Sequence, residues 1–342
     1  MKKYVSIALN VGISVAAIGY LGYRAAQEER FWALVEGEKN WGQLLLAGLT
    51  VLMAVLLTMF RWQVLVRALD IPLKLSDALR VGFLGYLFNL LPLGLVGGDG
   101  LKAFFIAKKF PSHATEAVAT VLLDRVIGLA ALLMFAALGT LQLDLAMFEE
   151  KDRALLSTMC IASRWAGGIS FCGILVFLIP GVTSLSIWDQ LAKFPVVGAR
   201  VGKLVEAMRL YRKRADRILL AVLMSLGVHG LYVIMIYLVG SSLLEGGKPT
   251  AQPSFMTHFV MGPLSMTAGA LPLGTMEVVL TLLYDAMIPA DQIANAIPQK
   301  GFLIALVYRL LQICVASIGM IYYLLGRAEN PALDETKPDK AK

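Results

Sequence analysis

Long apolar runs separated by short polar connections dominate the chain. A bilayer core about 30 Å thick takes about 20 residues of helix to cross. Six stretches reach that length: about 4–23, 41–60, 116–140, 165–184, 218–244 and 301–326. The first follows Met1-Lys2-Lys3, ends at Arg24 and lacks a small-x-small cleavage pattern, so it reads as a retained helix. Between residues 41 and 60 the only strongly polar side chain is Gln43.

Two further apolar stretches, about 81–107 and 255–287, break in the middle, at Leu91-Pro92-Leu93-Gly94 and at Leu271-Pro272-Leu273-Gly274. Proline and glycine interrupt the helical hydrogen-bond ladder, and at membrane depth such backbone persists only inside protein or beside a wet cavity. Each stretch is either a re-entrant hairpin of two half-helices or a kinked spanning helix. Basic residues favour the hairpin. Arg61, Arg67, Lys74 and Arg80, then Lys108 and Lys109, flank the first broken stretch, and eight more lie in 185–217. The connections at 24–40, 141–164, 245–254 and 288–300 are poorer in Lys and Arg and hold Glu28, Glu29, Glu36, Glu38, Glu149 and Glu150. Placing the basic group in the cytoplasm requires each broken stretch to leave and return on one face. The two then dip from opposite sides, with both termini cytoplasmic.

Composition agrees with a bilayer as solvent. Of 342 residues 58% are hydrophobic and 16% charged, against about 25% charged in a soluble domain, and the mean hydropathy is +0.71. The net charge of +7 then reflects topology and anionic lipid headgroups at the cytoplasmic face rather than nucleic acid. Residues 199–217 alternate Val201, Leu204, Val205, Met208 and Tyr211 with basic side chains. That pattern suits a helix lying on an anionic leaflet, or records the positive-inside signal alone. Cys172 and Cys314 sit in apolar runs and read as small core residues, with no metal or disulfide spacing. GxxxxGK[ST], HExxH and GxSxG are all missing, so neither direct ATP drive nor a cofactor is expected.

The two Leu-Pro-Leu-Gly segments lie 180 residues apart. Each is preceded by a spanning stretch and followed by one that carries an arginine, Arg125 in the first case and Arg309 in the second. Helix, broken hairpin and Arg-bearing helix thus occur twice, with opposite orientation under the charge rule. The fold class expected is an all-α polytopic membrane protein, with about six spanning helices and two re-entrant hairpins in an inverted internal repeat. Residues 1–326 form one transmembrane domain with halves at about 41–140 and 218–326; 327–342 is a polar, disordered cytoplasmic tail. Inverted repeats with broken helices are the architecture of alternating-access transporters, whose sites lie where the repeats meet.

Charges at membrane depth cost at least about 2.5–3.5 kcal/mol and call for a partner or a purpose. Asp99 and Lys102 follow Gly97-Gly98, and Glu277 opens the return half of the second stretch. Asp124 and Arg125 are adjacent, about 100° apart on a helix, and ill placed to pair with each other. Arg125 and Arg309 could face one cavity and hold a lipid phosphate through bidentate guanidinium contacts, or snorkel toward the surface. Glu277 could serve the site or cap a half-helix. His229 fits a hydrogen-bonded packing residue and, second, a proton relay.

Asn89-x-x-Pro92, Gly97-Gly98-Asp99 with Lys102, and Asp124-Arg125 resemble the membrane region of the lysylphosphatidylglycerol synthases, shared by stand-alone flippase-like proteins. The resemblance covers about 1–326. It implies broken hairpins, residence in the plasma (bacterial inner) membrane, and movement of a lipid or polyprenyl-linked substrate between leaflets. It also implies substrate contacts at Asn89, Pro92, Gly97, Gly98, Asp99, Lys102, Asp124, Arg125, Pro272, Gly274, Glu277 and Arg309. Lipid aminoacylation is not implied, because no soluble transferase domain accompanies these residues. Only Leu-Gly-Thr-Met separates Pro272 from Glu277, a stretch richer in glycine in the family. An intramembrane transferase on a lipid-linked donor and a secondary transporter of a small solute stay open, as does self-association.

Overall fold

Asn40 accepts a hydrogen bond from the backbone N–H of Gln43 at 3.1 Å and starts a helix that runs without interruption from Trp41 to Arg67. That helix is one of five, among the described residues, long and apolar enough to cross a membrane. The computed structural model describes residues 2–90, 96–179, 190, 209–211, 214–269 and 274–329. Its helices are α1 (Lys2–Ala26), α2 (Glu29–Glu36), α3 (Trp41–Arg67), α4 (Leu75–Leu90), α5 (Val96–Lys109), α6 (Ala114–Thr140) and α7 (Glu150–Leu178). They continue as α8 (Ala215–Ser242), α9 (Phe255–Ala268), α10 (Thr275–Ala286) and α11 (Lys300–Glu329). A two-stranded antiparallel ribbon, β1 (Leu244–Glu245) and β2 (Lys248–Pro249), turns through Gly246 and Gly247.

Several boundaries differ from those the hydropathy pattern predicts. The fourth stretch, expected at 165–184, is the helix α7, which begins at Glu150. Its early charges and Arg164 pushed the apolar window downstream, yet Arg164, though exposed, is satisfied on the neighbouring helix by the carbonyl and hydroxyl of Thr140 at 2.7 and 3.1 Å. The second stretch extends from 60 to Arg67, so Arg61 and Arg67 lie in α3 rather than in a connection. Cys172 and Cys314 are exposed on the outside of the bundle, not in its core. Lipid tails are as apolar as a protein interior, so sequence alone does not separate the two environments. The last helix reaches Glu329, past the expected start of the tail at 327. Both Leu-Pro-Leu breaks, the tail beyond 329 and most of 199–217 lie outside the described residues. Of that last stretch, Tyr211 turns inward, its hydroxyl donating to the Leu65 carbonyl at 2.7 Å.

The longest contact in the bundle joins α3 to α8. They run antiparallel: the Asn40 N–H donates to the Ser242 carbonyl at 2.9 Å at one end, and Arg214 reaches the Ala68 carbonyl at 3.1 Å at the other. Other contacts come in matched sets. The Gly319 backbone of α11 crosses α4 so closely that a Cβ there would meet the Phe83 carbonyl oxygen at 2.5 Å. Gly139 of α6 crosses α9 in the same way, 2.5 Å from the Phe259 carbonyl oxygen. Asp70, just after α3, pairs with Arg214, just before α8, at 3.0 Å. Glu245, just after α8, pairs with Arg30, upstream of α3, at 2.7 Å. The arms α4, α5, α9 and α10 have 16, 14, 14 and 12 residues. At about 1.5 Å per residue none spans a core of about 30 Å.

Candidate functional site

The first arms are held together before any charge is considered. The Gly98 N–H donates to Asn89 Oδ1 at 3.1 Å, tying the start of α5 to the end of α4. A Cβ at Gly98 would lie 2.0 Å from the Gly85 carbonyl oxygen, so the two backbones meet where only glycine fits. Gly97 stands beside it in the first turn of α5. Asn89 and Gly98 therefore fix the first turn of α5 against α4, and that first turn presents Asp99. Pro92 lies outside the described residues.

Asp99 sits in the first turn of α5, where the helix dipole favours a carboxylate. Its Oδ2 accepts from Arg125 Nε of α6. One turn further along, the Lys102 ammonium is buried and lies 5.5 Å from the centre of the Trp62 ring. Asp124 points elsewhere, as its neighbouring position on the helix requires. It meets Arg61 of α3, whose Nε donates to Asp124 Oδ1 at 2.8 Å and whose Nη1 donates to Ser225 of α8 at 2.6 Å. Both charges of this pair are buried, and it ties α3, α6 and α8 together.

The second half repeats the first pairing with different neighbours. Gly274, in the left-handed region at φ 97°, starts α10; Glu277 lies in its first turn. Pro272 lies outside the described residues. Glu277 Oε1 accepts from Arg309 Nη2 at 2.6 Å and Nε at 3.2 Å. Arg309 also donates to Gln312, which in turn donates to the Tyr308 hydroxyl at 2.7 Å. Glu277 Oε2 is buried with no hydrogen-bond partner among the described residues.

The sequence-expected residues thus gather in two groups rather than one: Asp99, Lys102 and Arg125, and Glu277 with Arg309. Among the described residues no hydrogen bond or ion pair joins the groups. In each, the counter-ion of the arginine is a carboxylate of the same half. His229 is a packing residue, its Nε2–H donating to the Gly128 carbonyl at 3.1 Å. The sequence marks Arg61 only as a topology signal and does not mark Ser225 or Gln312 at all; the one available signal was that buried Asp124 needs a cation other than Arg125.

The family description "Lysylphosphatidylglycerol synthase TM region" matches residues 7–319. The chain belongs to that family, a group of membrane proteins acting on lipids, and is itself an integral membrane protein. No curated protein matches it.

Proposed function

We propose that this protein moves a phosphate-bearing lipid, or a lipid-linked molecule, between leaflets without direct use of ATP. The observation that carries the reading is the twofold arginine–carboxylate latch. Asp99–Arg125 joins α5 to α6, and Glu277–Arg309 joins α10 to α11, each at the start of a short arm. The matched glycine crossings and surface pairs support an inverted repeat, and the arm lengths support two re-entrant hairpins entering from opposite faces. The face bearing Lys74, Arg80, Lys108 and Lys109 is then cytoplasmic.

A lipid phosphate presents the same oxygen geometry to a guanidinium as the carboxylate it would displace. Exchange at Arg125 frees the α5 arm from α6; exchange at Arg309 frees α10 from α11. Lys102 adds a positive charge to the first group that the second lacks. Movement of one hairpin and then the other exposes the headgroup to each leaflet in turn while the acyl tails stay in lipid.

The test is a leaflet-accessibility assay with purified protein in liposomes. A trace of fluorescent phospholipid or polyprenyl phosphate is probed with a membrane-impermeant quencher, and the lipid is then weighed by mass spectrometry. Protein-dependent loss of the protected fraction at unchanged lipid mass is the expected result. A second reading, an intramembrane transferase, rests on the unpartnered Glu277 Oε2, a carboxylate oxygen left free to accept a proton. A new lipid mass with an unchanged protected fraction would replace the first reading by this one.

A further inference from the structure

At the end of the bundle where α3 begins and α8 ends, an open cavity of about 420 Å³ lies between α2, the β1–β2 ribbon and the 290–295 turn. Arg30, Glu245, Lys248, Thr250, Gln292 and Asn295 line it. Glu245 neutralises Arg30 through two hydrogen bonds of 2.9 and 2.7 Å, so Lys248 is the surplus charge of the lining. A second cation stands behind the wall. Lys300 is fully buried; its ammonium donates to Thr250 Oγ1 at 2.6 Å and to the Ala251 carbonyl at 3.3 Å, and lies 5.7 Å from the centre of the Tyr284 ring.

All of these Lys300 partners are neutral, and among the described residues no carboxylate lies within ion-pair distance. A buried charge without a counter-charge is costly, and two of its acceptors, Thr250 and Ala251, form the cavity wall. We propose that the cavity binds a phosphate group. Lys248 supplies the positive charge of the wall, Lys300 adds its field from behind when protonated, and the amides of Gln292 and Asn295 add neutral donors. The volume falls in the range of small-ligand sites. Trp32 and Trp41 are exposed at the same end of the bundle, as in the aromatic belts found at headgroup level. The phosphate is therefore that of a lipid headgroup or of a small soluble anion. The site is separate from the arginine latches, and its occupancy is measured without transport.

The experiment uses the full chain in phosphate-free maltoside micelles, with thermal unfolding followed by intrinsic fluorescence. One arm titrates inorganic phosphate and the other short-chain phosphatidylglycerol, each against sodium chloride of equal ionic strength. A rise in midpoint with inorganic phosphate identifies a soluble anion as sufficient; a rise with the lipid alone identifies a headgroup. Lys248→Gln, at the exposed rim, is expected to weaken the response about tenfold, as loss of one charge-assisted contact does. Lys300→Met should weaken it as well, and if that variant fails to fold, Lys248→Gln decides by itself. No rise beyond the salt control, or a response undiminished in Lys248→Gln, overturns the proposal.

Discussion

The two halves place the same ion pair in different surroundings. Arg125 and Asp99 have side chains 43% and 18% exposed, whereas Arg309 and Glu277 are 28% and 5% exposed. The first pair borders a charged neighbourhood: Lys102 over Trp62, and the buried Arg61–Asp124 pair behind it. The second borders neutral hydrogen-bonding groups, Gln312 and Tyr308, with Tyr232 edge-on to Tyr308 at 5.9 Å. The proposed repeat thus holds one charge-rich, open latch and one enclosed latch. In the proposed alternating mechanism this arrangement has the open latch poised to receive an anion first, while the enclosed one holds its own carboxylate until its turn to exchange.

The largest test of this contrast removes the charge pair that the second half lacks. Asp124→Ala leaves Arg61 buried without its counter-charge and should cost about 3–5 kcal/mol of stability. Arg61→Met with Asp124→Leu should restore most of it, as seen in thermal unfolding of the detergent-solubilised chain. Next, Arg309→Gln strands the buried Glu277 and should cost about 1.5–3 kcal/mol. Arg125→Gln, whose pair is more open, should cost about 0.2–1 kcal/mol. Equal losses would erase the distinction between the latches.

The glycine crossings sharpen the comparison from the opposite direction, because here the halves should behave alike. Gly139→Ala and Gly319→Ala each drive a methyl group into a backbone carbonyl, and about 1–3 kcal/mol is expected from each. A large effect in one and none in the other would break the internal repeat. The smallest effect concerns the surface pairs. Arg30 holds the Glu245 carboxyl below its ordinary range through their hydrogen bonds. Its contribution is present above the unfolded value of about 4.3 and is lost as pH falls through the lower folded value. Such an exposed pair is worth about 0.2–1 kcal/mol, so Glu245→Gln should lower the melting midpoint slightly at pH 7, with the gap closing in strong acid.

Much of this plan was legible in the chain because membrane solvation is severe. An arginine in an apolar run stands out at once, and so does a Pro-Gly break, so Arg125, Arg309 and the separation of α4 from α5 and of α9 from α10 were marked in the sequence. The partners were harder. Asp99 and Arg125 are 26 residues apart, Glu277 and Arg309 are 32 apart, and Arg61 meets Asp124 across 63. None of these spacings follows from helical periodicity. The hydropathy window also ends at the first charge it meets. It therefore cut α3 short at Arg61 and started α7 too late at Arg164, because it cannot see that Asp124 and Thr140 satisfy those side chains.

The most direct test of lipid movement compares wild type, Arg125→Ala and Arg309→Ala in the leaflet-accessibility assay, with insertion into the liposomes checked for each. Wild type should expose the protected lipid to quencher at unchanged lipid mass. Both variants should leave it protected while inserting normally. Normal transport in both variants would contradict the proposed role of the two arginines in holding the lipid phosphate.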